Sequence, residues 1–200
     1  MEAPVRRGLL RFNECSWSAG RAQGFGPRKD QGEREMRIIR LSKTAMVAAI
    51  AFFATLTAFG NITDYNTNWA FVQHVLSMDT IDPTATIKYR AIDNHALETA
   101  GYLTIIAAEA LTAILCWIGA ARLLAASADA AAFNRAKGFA VAGLTLGFLL
   151  WQVGFMSIGG EWFGMWMSAK WNGVPDAFRF FVTILMVLIY LMLPDRAEEA

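Results

Sequence analysis

The side chains with the most chemistry in them lie along one stretch. His95, Glu98, Tyr102, Glu109, Thr112 and Cys116 recur at helical spacing, so a helix through them shows all six along a single stripe. Almost every position between them is Ala, Leu, Ile or Gly. An acid in so apolar a helix costs about 2.5–3.5 kcal/mol at a bilayer centre, so it turns toward protein rather than lipid. The stripe admits two uses. One is a proton or cation path from Glu109 outward through Glu98 and His95. The other is a Glu109 carboxyl that only hydrogen-bonds a neighbouring helix, with Gln152 as the natural partner.

Metal chemistry has thinner support. His95 and Glu98 make a His-x-x-Glu pair on one face, His74 is the only other histidine, and Met78 or Asp79 would have to add a ligand. Zinc and copper sites usually take three or four ligands with supporting hydrogen bonds behind them. No nucleophile elbow and no glycine-rich phosphate loop before a helix is present in the sequence. No catalytic residue, metal or cofactor is therefore assigned. An extracytoplasmic metal-assisted enzyme at His74, His95 and Glu98 stands only as a third choice.

The elements that must position these groups are membrane helices. The 200 residues are 56% apolar and 18% charged, against the roughly 25% charge usual in soluble domains. The net charge of +1 leaves no basic surplus for a nucleic-acid partner. The apolar residues sit in blocks at 44–63, 99–121, 138–160 and 177–193. About 20 such residues span about 30 Å of hydrocarbon as a helix. Backbone groups in lipid have no other partners, so each block is predicted to be a helix. The expected fold is all-α, a four-helix transmembrane bundle running up-down-up-down, with the lipid bilayer as its first partner.

Direction follows from the basic residues. Fourteen Lys and Arg fall before the first block, between the second and third, or after the fourth; on the other side three fall in the connections and Arg179 lies near the start of the fourth block. Both termini are therefore expected in the cytoplasm of a bacterial cell, with the chain in its inner membrane. Residues 64–98 and 161–176 are expected outside. Within the first of these, Asn68 to Asp79 reads as a short amphipathic helix capping the bundle or lying on the bilayer. Trp69, Trp162, Trp166 and Trp171 all fall on this side. They suit either interface anchoring or a partner-docking face. Gly143, Gly147 and Gly154 in the third block allow close helix approach, within one chain or between two copies.

Residues 1–35 are Arg- and Gly-rich with little apolar periodicity, and two readings stand for them. Either they form a disordered cytoplasmic tail, or translation begins at Met36, where a short basic flank runs straight into a helix. Residues 36–195 then form the membrane domain and 196–200 a short tail. Cys15 and Cys116 are expected as free thiols.

Several runs are similar to a prokaryotic family described as "predicted small integral membrane protein", one of the numbered domains of unknown function. They are Gly60-Asn61-Ile62-Thr63-Asp64-Tyr65, Phe71-Val72-Gln73-His74-Val75-Leu76-Ser77-Met78-Asp79-Thr80, Ala132-Phe133-Asn134-Arg135-Ala136-Lys137-Gly138, Gly159-Gly160-Glu161-Trp162-Phe163 with Trp171-Asn172-Gly173, Phe178-Arg179-Phe180-Phe181, and Leu193-Pro194-Asp195. The resemblance spans about 36–195. It implies a membrane protein and carries no reaction, ligand or functional residue with it. The composition and threading together suggest a non-catalytic accessory or interaction subunit, which docks another membrane protein or itself. A small transporter or channel using Glu109 is the alternative.

Overall fold

The computed structural model describes residues 27–195; Cys15 and the rest of the two ends lie outside the described residues. The described chain is all-helical. Helix α1 runs Pro27–Thr63, α2 Tyr65–Ser77, α3 His95–Ala125, α4 Ala130–Ala136, α5 Gly138–Leu149 and α6 Val174–Met192. A 3-10 turn at Thr86–Arg90 separates α2 from α3. Helix α5 does not stop at Leu149; it widens into a π-helix over Leu150–Trp162. Four of these helices are long and apolar enough to cross a membrane: Gln31–Thr63, His95–Ala125, Gly138–Trp162 and Val174–Met192. They contain the four blocks expected from sequence, each to within a few residues except the first. That helix reaches back beyond Met36 to Pro27.

The outward faces explain why the solvent must be lipid. Phe52, Leu56 and Phe59 on α1, Ile114 on α3 and Met186 and Ile189 on α6 are all more than half exposed. In water such a surface would aggregate, whereas against acyl chains it costs nothing. Inside, association has to come from close packing rather than from escape from water. Small residues supply it. A Cβ on Gly119 would fall 2.5 Å from the backbone nitrogen of Ala140, and one on Gly143 would fall 2.7 Å from Cys116 Sγ. A Cβ on Gly147 would sit 3.0 Å from the Thr112 methyl. Helices α3 and α5 therefore meet backbone to backbone, and α1 and α6 pack around this pair.

Each end of the bundle is built differently. At one end, here the base, Lys43 Nζ on α1 lies 3.0 Å from the Asp195 carboxylate and donates to Leu193 O at 2.7 Å. Lys137 Nζ, between α4 and α5, lies 2.8 Å from the same carboxylate. Asn134 Nδ2 donates to Asp195 O at 3.1 Å. Asp195 and Lys43 are almost fully buried.

At the other end, here the cap, α2 and the segments 81–92 and 163–168 form a layer with its own apolar centre of Val75, Met78, Ile81, Phe163 and Met165. Ile92 N–H donates to Leu76 O at 2.8 Å and closes the layer on one side. Thr80 and Ser168 hydroxyls meet at 2.9 Å on the other. The chain enters it through Gly164, whose φ of +65° is a left-handed conformation that suits glycine.

Candidate functional site

Glu109 lies near the midpoint of α3 and is 2% exposed. Its Oε2 accepts a 2.7 Å hydrogen bond from Asn61 Nδ2, two residues before the end of α1. Its Oε1 has no hydrogen-bond partner. The partner is therefore Asn61 and not Gln152. The Gln152 backbone carbonyl accepts from Ser157 Oγ in the π-helix. Asn61 is held in turn, because Tyr102 Oη donates to its backbone carbonyl at 2.7 Å. The end of α1 is thus pinned to α3 by one side chain and one carbonyl.

Above Glu109 a cavity of about 180 Å³ opens toward the cap. Asn61, Tyr102 and Glu109 supply polar groups at its inner part; Asn68, Gly173 and Asp176 lie at its cap end. Its walls are aromatic: Phe71 from α2, Trp151 and Phe155 from the π-helix, and Phe180 from α6. The rings hold one another. Trp151 packs edge-on against Phe180 at 4.8 Å between centroids and lies 4.6 Å from Phe155. The Gly173 backbone presses on Phe71, where a Cβ would come within 2.9 Å of the ring. At the mouth, Asp176 pairs with Arg179.

On the base side of Glu109 the structure closes. Thr112 is buried with its hydroxyl unpartnered. A pinhole of about 10 Å³ lies beside it. Beyond lie Val47, Ala51, Cys116, Leu144 and Leu191, each fully buried in one apolar cluster.

Of the stripe read from sequence, Glu98, Tyr102, Glu109, Thr112 and Cys116 are buried and face the bundle. His95 is exposed and sits on Trp69, with ring centroids 5.0 Å apart. Glu98 is buried with Oε1 unpartnered, yet neither it nor His95 lines the cavity. The outlet runs past Asn68 and Asp176 and not along the stripe. His74 is paired with Asp79 at 2.7 Å and stacked on Trp171. Among the described residues no group of three or more His, Cys, Asp and Glu side chains gathers as metal ligands.

The four tryptophans at the cap end divide into two kinds. Trp69 donates to Thr99 Oγ1 at 3.3 Å, and Trp171 is held by His74; both are internal props of the cap. Trp162 and Trp166 are more than half exposed, and Arg90 covers the Trp162 ring at 4.6 Å. The three glycines also divide. Gly143 and Gly147 are spent on α3, whereas a Cβ on Gly154 would meet only Leu150, at 3.8 Å. Gly154 instead floors a second, apolar groove of about 260 Å³ between α3 and the π-helix.

Asn61, Trp151 and Phe155 are the site residues that the sequence reading passed over. Thr57 and Asn61 stand four apart near the end of an otherwise apolar block, and that spacing was the available signal.

The description "Predicted small integral membrane protein (DUF2165)" matches residues 39–194. The chain belongs to this family. The match takes in all four membrane helices, Asn61, Glu109 and the aromatic walls. No curated protein and no solved structure gives a match.

Proposed function

We propose that this family member is a small carrier that takes a cation from the extracytoplasmic side onto Glu109. One observation carries the reading. Glu109 lines a cavity that reaches the cap, and its Oε1 is buried without a hydrogen-bond partner. A buried carboxyl oxygen without a partner is costly and is accounted for when a ligand completes it. The sealed base half favours a carrier, which binds before it opens to the other side, over an open pore. Acids at the cap favour cations as cargo: Asp64 and Asp93 stand in the outer connections beside the paired Asp79 and Asp176. The test is cation uptake into proteoliposomes. Glu109→Gln is expected to abolish it, and unchanged uptake in that variant would overturn the reading.

The proposed setting is a bacterial inner membrane with both termini in the cytoplasm. The Lys and Arg asymmetry supports it, as does the meeting of Lys43, Lys137 and Asp195 at one end. A cysteine at Ala169→Cys is expected to react with an impermeant thiol reagent in intact cells, and one at Ala131→Cys is not. The reverse pattern would invert the map.

A second reading, a non-catalytic subunit docking another membrane protein, is favoured by Tyr89, Trp162 and Trp166, which are 78%, 52% and 55% exposed. A partner retained in mild detergent by the native chain and lost on Trp162→Ala with Trp166→Ala would support it.

A further inference from the structure

The cavity above Glu109 and the apolar groove beside it are neighbours. Phe71, Val72, Ile105 and Phe155 line both. These four side chains form the wall that the two spaces share. The first space is lined by an acid whose Oε1 is buried and unpartnered, and the second is almost wholly apolar, with Gly101 and Gly154 in its lining. We infer that the cargo is a lipophilic organic ammonium ion, its charged head at Glu109 and its apolar body across the shared wall in the groove. This rests on the carrier reading above and gives that site a substrate class.

Three features select this class over a metal ion or a bare proton. An inorganic cation asks for a shell of oxygen ligands. Here Trp151, Phe155, Phe180 and Phe71 take up much of the lining. Aromatic faces attract ammonium groups and add to the pull of the carboxyl. The two spaces, about 180 and about 260 Å³, together suit a molecule larger than methylammonium, whereas the first alone is small for a drug-sized ligand. A proton carrier has no use for the groove.

The glycines provide a way to test the groove without touching the acid. A Cβ at Gly101 would meet only the Leu76 side chain, at 3.6 Å, and one at Gly154 only Leu150, so larger residues can enter there without a backbone clash. The experiment is equilibrium dialysis of the purified chain in lipid nanodiscs with radiolabelled methylammonium and phenethylammonium. Empty nanodiscs correct for partitioning into lipid, and unlabelled phenethyl alcohol and sodium serve as competitors. Saturable phenethylammonium binding is expected, at least tenfold tighter than methylammonium. Glu109→Gln should weaken both at least tenfold. Gly154→Leu and, independently, Gly101→Val should remove only the tenfold gain. Two variants guard against one misfolding, and the neutral alcohol tests the role of charge on the native chain.

If methylammonium binds through Glu109 but the phenyl body adds nothing, or the gain survives both glycine variants, the inference falls while the carrier reading stands. Competition by sodium stronger than by phenethylammonium, or by the alcohol as strong, also overturns it. If neither ammonium binds saturably, the inference falls, and the carrier reading falls with it if Glu109→Gln also leaves cation uptake into proteoliposomes unchanged.

Discussion

At the scale of single residues, the site depends on Asn61 more than on any position the stripe names. It gives Glu109 its one hydrogen bond and takes the Tyr102 hydroxyl on its backbone. Interhelical hydrogen bonds inside membranes are modest in measured cycles. The coupling between Asn61→Ala and Glu109→Ala is expected at about 0.6–1.7 kcal/mol, read by unfolding in mixed micelles. A coupling near zero would mean that the pair is not formed. The buried acid itself was legible from sequence, because a charge among Ala, Leu and Ile must face protein. Its partner was not. Gln152 and Asn61 are both amides near an apolar block, and only the relative depth of three helices decides between them. Sequence carries no measure of that depth. Outside the membrane, Asp82 accepts from Thr84 N–H at 2.8 Å and from Thr84 Oγ1 at 2.6 Å, which holds its carboxyl below the ordinary 3.8. A carboxyl so lowered supports its turn above the unfolded-state value and loses that support as pH falls through the lowered one. The protection of the Thr84 amide proton, measured as its exchange rate relative to the intrinsic rate at each pH, is expected to fall there.

At the scale of elements, the membrane helices were readable because twenty-residue apolar runs have few other uses. The π-helix was not. Residues 150–162 have the composition of any apolar helix, and what sets them apart is packing. A Cβ on Gly160 would press on Val174 at 3.2 Å, and Gly159 lies against Met165, so the widened turn fits tightly under the cap. The Phe163 N–H donates to Ile158 O five residues back, the hydrogen-bond step of a π turn. Such turns are often found at functional sites. Here it places Trp151 and Phe155 on the cavity and Gly154 in the groove. The α3–α5 seam yields a sharp contrast. Gly119→Val is expected to cost about 1–3 kcal/mol, because the Ala140 backbone cannot yield. Gly60→Ala, with nothing within 4 Å of the new Cβ, is expected to gain about 0.5–1 kcal/mol. Thermal unfolding of the two variants beside the native chain checks both. Equal effects would contradict the seam.

At the scale of the whole molecule, one end is a dry ionic clasp and the other a roof with an opening. The charge pattern alone put Lys43 and Lys137 on one side, but it counted them as flanks and missed that Asp195 takes both. Removing one partner from a buried ion set strands the others. Asp195→Asn is expected to cost about 3–5 kcal/mol, while replacing Asp195, Lys43 and Lys137 together by Leu and Met should recover much of that loss. A triple variant no better than the single one would mean that the clasp acts through geometry and not through its charges. The clasp also bears on biogenesis. Asp195 follows α6, so during synthesis it leaves the ribosome after everything it binds. Until it arrives, two ammonium groups wait at the base of the bundle without their counter-charge. Insertion of the first three spans therefore yields an unfinished bundle, and Asp195 acts as its lock. A stalled nascent chain ending before Leu193 would be left open to quality-control proteolysis.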